Sequence, residues 1–191
     1  MGLITKLKED FHFYRRINRK QGFMVMLLDR YFLVCANYRF GYWACHLKVP
    51  VIGALMRSLY VVTNLFISTV TGTDIRSGAT IGRRFWVHTS FGIMIADGVV
   101  IGDDCRIYTG ACVVNKANFR QEGQPQIGNK VTLGVGCKVL GRVTIGDNVV
   151  VGANAVVLHD VPSDHMAVGV PAQNKPLHRD WSLLQAAELN E

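Results

Sequence analysis

Residues 127–158 read IGNKVTLGVGCKVLGRVTIGDNVVVGANAVVL, and an aliphatic residue recurs at every sixth position of this segment. These recurring residues are Ile127, Leu133, Val139, Ile145, Val151 and Val157. Glycine often follows directly, and a small or β-branched residue comes four positions later. No α-helix and no alternating strand has a period of six, whereas a coil with three short flat faces does. The period therefore predicts a β-helix whose aliphatic residues point inward and whose glycines allow tight turns.

The same period extends toward the N-terminus. Its aliphatic positions there are Ile75, Ile81, Val87, Ile95, Ile101, Ile107 and Val113. Three hexads make one coil, so residues 75–170 predict about five coils. The pattern does not determine the handedness of the coil, and the usual crossover rule predicts a right-handed one.

The region before the repeat has a different character. We predict a helical region at residues 1–72, a β-helix domain at residues 73–176 and a helical tail at residues 177–191. Pro50 separates two predicted helices, and the second, at about residues 51–69, is long enough to suggest a membrane span. Arg57 near its centre and several polar residues favour a buried or interfacial helix instead.

Charge and cysteine content limit the partners and the compartment. The formal net charge is +7, and the first twenty residues are both basic and aromatic. Such a segment either contacts anionic lipid or forms the solvated face of an amphipathic helix, and we favour the second interpretation. No recognition motif accompanies the charge, which argues against nucleic acid. The five cysteines form no CxxC pair, and we expect no cleavable signal peptide before them. We expect a cytoplasmic protein, with peripheral contact at the inner face of the membrane as an open alternative.

The repeat is interrupted at two places. Between Val87 and Ile95 the spacing is eight residues, so two extra residues bulge out near His88. After Val113 the spacing is fourteen, which ejects a polar loop at residues 115–126. Departures from a strong repeat usually mark the functional face, so both interruptions are candidates for the site.

Two segments carry a resemblance to a known family. They are TGTDIRSGATIGRRFWVHTSFGIMIADGVVIGDD at residues 71–104 and GANAVVLHDVPSDHMAVGVPA at residues 152–172. Over residues 38–176 the chain resembles the serine O-acetyltransferase branch of hexapeptide acyltransferases. It is still closer in style to relatives that O-acetylate capsular and exopolysaccharide sugars, of the colanic-acid type. The resemblance implies a left-handed parallel β-helix preceded by helices. It also implies acetyl-CoA as co-substrate without a metal, and a homotrimer with active sites between adjacent β-helices.

The resemblance also implies a histidine general base in the first bulge. His88 is the histidine of that bulge, and Asp74 matches the family's acid that orients the base. Transfer would be direct, within a ternary complex, with backbone N–H groups stabilising the oxyanion. In an alignment without gaps from Ile95, however, the family's catalytic histidine falls on Thr89 and its neighbouring aspartate on His88. Because a bulge sets side-chain direction, we favour His88 as the base, and a histidine with no catalytic role is the alternative.

The acceptor residues depart from the family pattern. Serine acetyltransferases carry a second histidine before a proline in the ejected loop, whereas Gln124 precedes Pro125 here. We therefore favour a sugar hydroxyl in polysaccharide or glycan biosynthesis as acceptor, bound by Gln124 and Asn115, with Thr89 beside the base. Simple solvation of the loop is the alternative role of these residues.

For coenzyme A, the resemblance implies a groove between the late coils. Its backbone contacts match Val135 and Ala153, although filling of the turns explains these residues equally well. The family's GVPAR is replaced by GVPAQ, so Lys138 or Lys175 would supply the positive charge for the phosphates.

Three classes of function remain. A glycan O-acetyltransferase comes first, a serine O-acetyltransferase of cysteine biosynthesis second, and a non-catalytic trimeric scaffold third. The ending AAELNE does not match the isoleucine-terminated tail with which some serine acetyltransferases bind a sulfhydrylase. A metal enzyme of the γ-carbonic-anhydrase kind needs three converging histidines, and residues 75–158 contain only His88, so no metal is expected.

Overall fold

A computed structural model describes residues 3–17, 29–88, 90–115 and 123–177 of the chain. Three helices come first, namely α1 (Leu3–Ile17), α2 (Arg30–Cys45) and α3 (Pro50–Thr71). Asp29 caps α2, because its carboxylate accepts a hydrogen bond from the Tyr31 backbone N–H at 3.0 Å. Proline occupies the first turn of α3, and Gly72 ends the helix in the left-handed conformation with φ 63°.

Fifteen short strands follow. They are β1 (Asp74–Ile75), β2 (Thr80–Ile81), β3 (Trp86–Val87), β4 (Met94–Ile95), β5 (Val100–Ile101), β6 (Arg106–Ile107), β7 (Cys112–Val114), β8 (Gln126–Ile127), β9 (Thr132–Leu133), β10 (Lys138–Leu140), β11 (Thr144–Ile145), β12 (Val150–Val151), β13 (Val156–Val157), β14 (His165–Val168) and β15 (Gln173–Pro176). Sheet A has the order β1-β4-β7-β10-β13, sheet B the order β11-β8-β5-β2, and sheet C the order β15-β14-β12-β9-β6-β3. All pairs are parallel except β14 with β15. Since successive strands enter the three sheets in turn, the chain forms a β-helix with five coils.

The six-residue period corresponds to the core. All thirteen aliphatic positions of the period are at most 3% exposed, and each points into the coil from the centre of a face. The prediction of about five coils after a helical region is confirmed. The coil is left-handed, as the resemblance implied, so the right-handed coil expected from the crossover rule is wrong. That rule concerns long connections that pack across a sheet, whereas here each connection is a corner of a few residues.

The helices are fixed to the first coil by a buried ion pair. Asp10 on α1 and Arg39 on α2 lie 2.8 Å apart, and both side chains are 2% exposed. The Arg39 guanidinium also donates to the carbonyls of Ile81 and Gly82, and Asp10 accepts from the backbone N–H of Phe85. One ion pair therefore joins two helices to the corner between sheets B and C. The predicted helical tail lies outside the described residues from residue 178 onward and stays a prediction.

Candidate active site

The bulge with His88 lies at the corner between sheets C and A, which we call the C/A corner. Three backbone hydrogen bonds stack the turns of the later coils on this bulge. Gly110 donates to Phe91 at 2.8 Å, Gly136 to Thr109 at 2.9 Å, and Asn154 to Val135 at 2.7 Å. Neighbouring coils are about 4.8 Å apart, so the Val135 turn lies roughly 10 Å and the Ala153 turn roughly 14 Å from the bulge. The structure thus brings the candidate base and the two candidate coenzyme residues to one corner.

His88 is exposed and lies between two aromatic rings. Its ring stacks on Tyr108 with centroids 4.6 Å apart and an interplanar angle of 23°, and the Trp86 ring is tilted against it at 4.9 Å. The His88 backbone N–H donates to the Ile107 carbonyl at 2.9 Å, which keeps the residue in register with the next coil. The Arg106 guanidinium lies 5.6 Å from the Trp86 ring. These contacts fix the orientation of an imidazole that remains accessible to a substrate.

Sequence reasoning missed the two aromatic neighbours of His88. The repeat contains the necessary signal, because Tyr108 follows the inward Ile107 just as His88 follows the inward Val87. Equivalent positions in successive coils are adjacent in a parallel sheet, as the pairing of Val87 with Ile107 shows. Trp86 and Tyr108 differ from the predicted site residues because they contact the ring of the candidate base, His88.

The rest of the bulge is only partly described. Thr89, predicted to lie beside the base, lies outside the described residues, so its role stays a prediction. Ser90 is buried, and its hydroxyl has no hydrogen-bond partner among the described residues. Phe91 is exposed beside the end of α3.

Asp74 begins β1 in sheet A and is half-buried. Its Oδ2 lies 3.0 Å from Nε of Arg76, so one side of the carboxylate is engaged in an ion pair. Its Oδ1 is buried and accepts no hydrogen bond within the described part of the chain. A buried carboxylate oxygen without a partner is costly, which makes Oδ1 available to an imidazole or a substrate donor. Its predicted role of orienting the base remains a prediction.

The candidate acceptor residues lie at a different corner. Asn115 and Gln124 flank the ejected loop between β7 and β8, at the corner between sheets A and B, which we call the A/B corner. The side-chain oxygens of both residues are buried without a hydrogen-bond partner among the described residues. One face of the coil separates this corner from the C/A corner, up to about 20 Å at strand geometry. A single chain therefore does not bring Gln124 and His88 together.

The two candidate lysines differ in position. Lys138, on β10, donates from Nζ to the carbonyl of Gly136 at 3.2 Å, which places its ammonium at the C/A corner. Lys175 lies on β15 of sheet C, opposite Met166, and is exposed. The structure thus places Lys138 beside the Val135 turn, and Lys175 on the neighbouring face.

Comparison with known proteins defines the class. A family model for the bacterial transferase hexapeptide (six repeats) matches residues 124–159. Together with the five coils and the interrupted C/A corner, this match defines the chain as a hexapeptide-repeat acyltransferase.

More extended similarities identify the family. The chain is 33% identical to a serine acetyltransferase of Synechococcus elongatus over 173 residues, which are 90% of this chain and 68% of that enzyme. A solved structure of soybean serine acetyltransferase complexed with serine superposes with a TM-score of 0.77, at 26% identity over 91% of this chain and 69% of that one. A serine acetyltransferase in complex with CoA gives a TM-score of 0.74, at 25% identity and the same coverages. The chain belongs to the serine acetyltransferase family.

These comparisons correct the expected acceptor and show how much of its relatives the chain covers. The expected glycan acceptor, with its place in exopolysaccharide biosynthesis, is wrong, because the matching relatives are serine acetyltransferases. The glycan expectation rested on a resemblance to capsular O-acetyltransferases and on the departures at Gln124 and the bulge, whereas the similarity to a serine acetyltransferase extends over 173 residues. The chain spans between 47% and 68% of the length of the curated relatives it matches.

Proposed function

We propose that the chain is a serine O-acetyltransferase that transfers the acetyl group of acetyl-CoA to the hydroxyl of L-serine. The observation that carries the proposal is the 33% identity to the Synechococcus elongatus serine acetyltransferase over 90% of the chain. The matched structures in complex with CoA and with serine support the choice of both substrates. The five cysteines are free thiols, which agrees with a cytoplasmic location for this reaction.

The chemistry needs a base at the C/A corner, and His88 has the properties for it. A neutral imidazole removes the proton of the serine hydroxyl while the oxygen attacks the thioester carbonyl. The new C–O bond forms, the C–S bond breaks, and the imidazolium returns its proton to the CoA thiolate. Trp86 and Tyr108 fix the ring, so the base does not have to be ordered during the reaction.

Coenzyme A would lie along the same corner. The Val135 turn is half-exposed, and the Lys138 ammonium lies beside it to accept a phosphate group. The thioester end would then point along the column of turns toward His88. In this arrangement the backbones of Val135 and Ala153 contact coenzyme A. Lys175, on the neighbouring face, lies at the edge of the coenzyme site.

We also propose that the active enzyme is a homotrimer. Within one chain the face of sheet A separates the C/A corner from the A/B corner. The side-chain oxygens of Asn115 and Gln124 are buried without a hydrogen-bond partner among the described residues, and an acceptor bound between two adjacent β-helices would supply a donor. A trimer therefore lets His88 of one chain and the loop of its neighbour contact the same serine.

The test is a direct assay of product. The purified full chain is incubated with acetyl-CoA and L-serine, and O-acetylserine is measured by mass spectrometry. Detection of the product is preferable to thiol titration, because Cys45 is exposed and would react with the titrant. We expect product formation that depends on serine. L-alanine, which lacks the hydroxyl, serves as the matched negative acceptor.

Two variants separate the base from the fold. His88→Ala is expected to lower kcat by about 10²-fold or more, as the loss of a general base does. His159→Ala removes an exposed histidine at the A/B corner and is expected to leave kcat unchanged. An unchanged rate in His88→Ala removes His88 from the mechanism. The proposed function is wrong if the wild-type chain binds CoA but acetylates no serine. It is also wrong if the wild-type chain does not bind CoA, and that result favours a non-catalytic scaffold.

A further inference from the structure

The outward face of α3 is apolar along its whole length. Nine large apolar side chains of this helix are between 47% and 79% exposed. They are Val51, Ile52, Leu55, Leu59, Val61, Val62, Leu65, Phe66 and Val70. Five of them, Ile52, Leu55, Leu59, Val62 and Phe66, follow spacings of three and four residues and form a continuous line that we call the α3 stripe.

The side of α3 that packs on α2 is partly polar. Tyr60 is buried, and its neighbours Thr63 and Asn64 are hydrogen-bonded to Asn37 of α2, at 2.8 and 3.0 Å. A helix on the surface of a water-soluble protein normally has the opposite arrangement, with its apolar side inward. By length and composition alone, α3 could also cross a membrane.

Two features indicate that α3 lies along a surface and does not span a membrane. The inner side of α3 packs on α2, and Arg57 lies exposed beside that packed side, outside the α3 stripe. At its end the helix continues directly into the first coil, where the Gly92 backbone N–H donates to the Thr71 carbonyl at 3.4 Å. The helix is therefore part of the folded unit, and only its outward side is available to a partner.

The net charge of the protein lies entirely on the helical side. Residues 1–71 contain ten Lys or Arg and three Asp or Glu, whereas residues 72–191 contain eleven of each. The helical region thus carries the whole formal charge of +7 and the rest of the chain none. No acidic residue occurs between residues 30 and 73, so the segment that carries the α3 stripe is purely basic.

We propose that the α3 stripe is a docking surface for an anionic lipid bilayer, on which α3 lies parallel to the membrane plane. An apolar helix face buried at the boundary between headgroups and acyl chains, with basic residues around it, is the arrangement of interfacial membrane helices. A second copy of the chain that pairs through the same face fits less well. Two basic segments without acidic residues would meet there, and like charges in contact disfavour association.

Exposed basic residues of the helices support a lipid partner. Lys48 is exposed just before α3, and Lys8, Arg15 and Arg16 are exposed on α1. Basic side chains near an anionic membrane surface each contribute to binding and extend their ammonium or guanidinium groups toward the headgroups. The bilayer would then hold the helical region and leave the corners of the β-helix in the aqueous phase.

The first experiment uses the unaltered full chain with vesicles. Co-sedimentation is measured with vesicles of phosphatidylcholine alone and of phosphatidylcholine mixed with phosphatidylglycerol. We expect binding to the anionic vesicles that weakens with added salt, because screening reduces the charge attraction. Absence of binding to the anionic vesicles overturns the proposal. Because this readout needs neither serine nor acetyl-CoA, it is independent of the proposed function.

Two pairs of variants then test the surface itself. Leu59→Gln with Phe66→Gln is expected to lower the partition coefficient by about tenfold or more, from the loss of buried apolar area. Thr144→Gln, at an exposed position of β11 on the β-helix, is the control and is expected to bind normally. Lys48→Gln should weaken binding about fivefold, while Lys130→Gln on the β-helix should not.

Light scattering separates a lipid surface from a contact between copies. Circular dichroism first establishes that the variant with both glutamines is folded. If that variant binds anionic vesicles as well as the unaltered chain does, the α3 stripe is not the docking surface. If it instead changes the oligomeric state in the absence of lipid, the face is covered by another copy and the lipid proposal fails.

Discussion

Removal of the buried Arg39 charge is expected to destabilise the contact between the helices and the β-helix. Arg39→Met keeps much of the side-chain volume but leaves Asp10 as an unpaired charge in a site where it is 2% exposed. It also leaves the Gly82 carbonyl without the guanidinium donor. The Ile81 carbonyl keeps a second donor, since Nζ of Lys6 lies 3.4 Å from it.

The magnitude follows from these contacts. Loss of one partner of a buried ion pair costs about 3–5 kcal/mol, because the remaining charge is uncompensated. We therefore expect Arg39→Met to lower the free energy of unfolding by about 4 kcal/mol. In the double variant Asp10→Leu, Arg39→Met the unpaired charge is gone. What remains is an unsatisfied N–H on Phe85, a carbonyl on Gly82 and the weak S–H donor of Cys35, so the expected loss is only about 1–2 kcal/mol.

The assay is urea unfolding at one fixed protein concentration, since self-association changes apparent stability. Circular dichroism reports the helices, and tryptophan fluorescence reports the environments of three tryptophans, of which Trp86 packs with Tyr14 where α1 meets sheet C. Arg142→Met, an exposed position, is the control and should change stability by less than about 0.5 kcal/mol. A loss below about 1 kcal/mol in Arg39→Met, or a double variant as unstable as the single one, would refute the reasoning.

Three further predictions follow from the C/A corner and the core. Tyr108→Leu should lower kcat by about 10- to 100-fold through misplacement of the His88 ring, while Tyr108→Phe keeps the ring contact and most of the activity; a pH–rate profile for each variant checks this. Burial raises the pKa of the Cys105 thiol to about 12, so this thiol should not react with iodoacetamide at pH 8 in the folded chain. Mass spectrometry should find the exposed Cys45 modified, and Cys105 modified only after urea is added. Gly134→Ala places a Cβ 2.6 Å from the Val151 carbonyl oxygen, a backbone atom that cannot move aside, and should lower the free energy of unfolding by about 1–3 kcal/mol in the same urea assay. Modified Cys105 in the native chain, or wild-type stability in Gly134→Ala, would contradict the packing described.

The candidate site was only partly predictable. The two interruptions of the repeat indicated His88 and the loop of Asn115 and Gln124, since a break in a strict period is visible in the sequence. The separation of these residues onto two corners follows from the coil, because one face intervenes. The acceptor expectation was wrong, since two altered positions in the bulge and loop carried less information than similarity along the whole chain.

The β-helix, the number of its coils and its inward residues are predictable from the six-residue period. A period of six allows one side-chain direction at each position, so local spacing is enough to specify this architecture. The tertiary structure alone decided which residues meet across coils and helices. The aromatic rings around His88, the ion pair of Asp10 with Arg39 and the outward direction of the α3 stripe depend on how separate segments pack. Side-chain contacts between distant segments are set by burial and charge pairing in the assembled fold, and no local period encodes them.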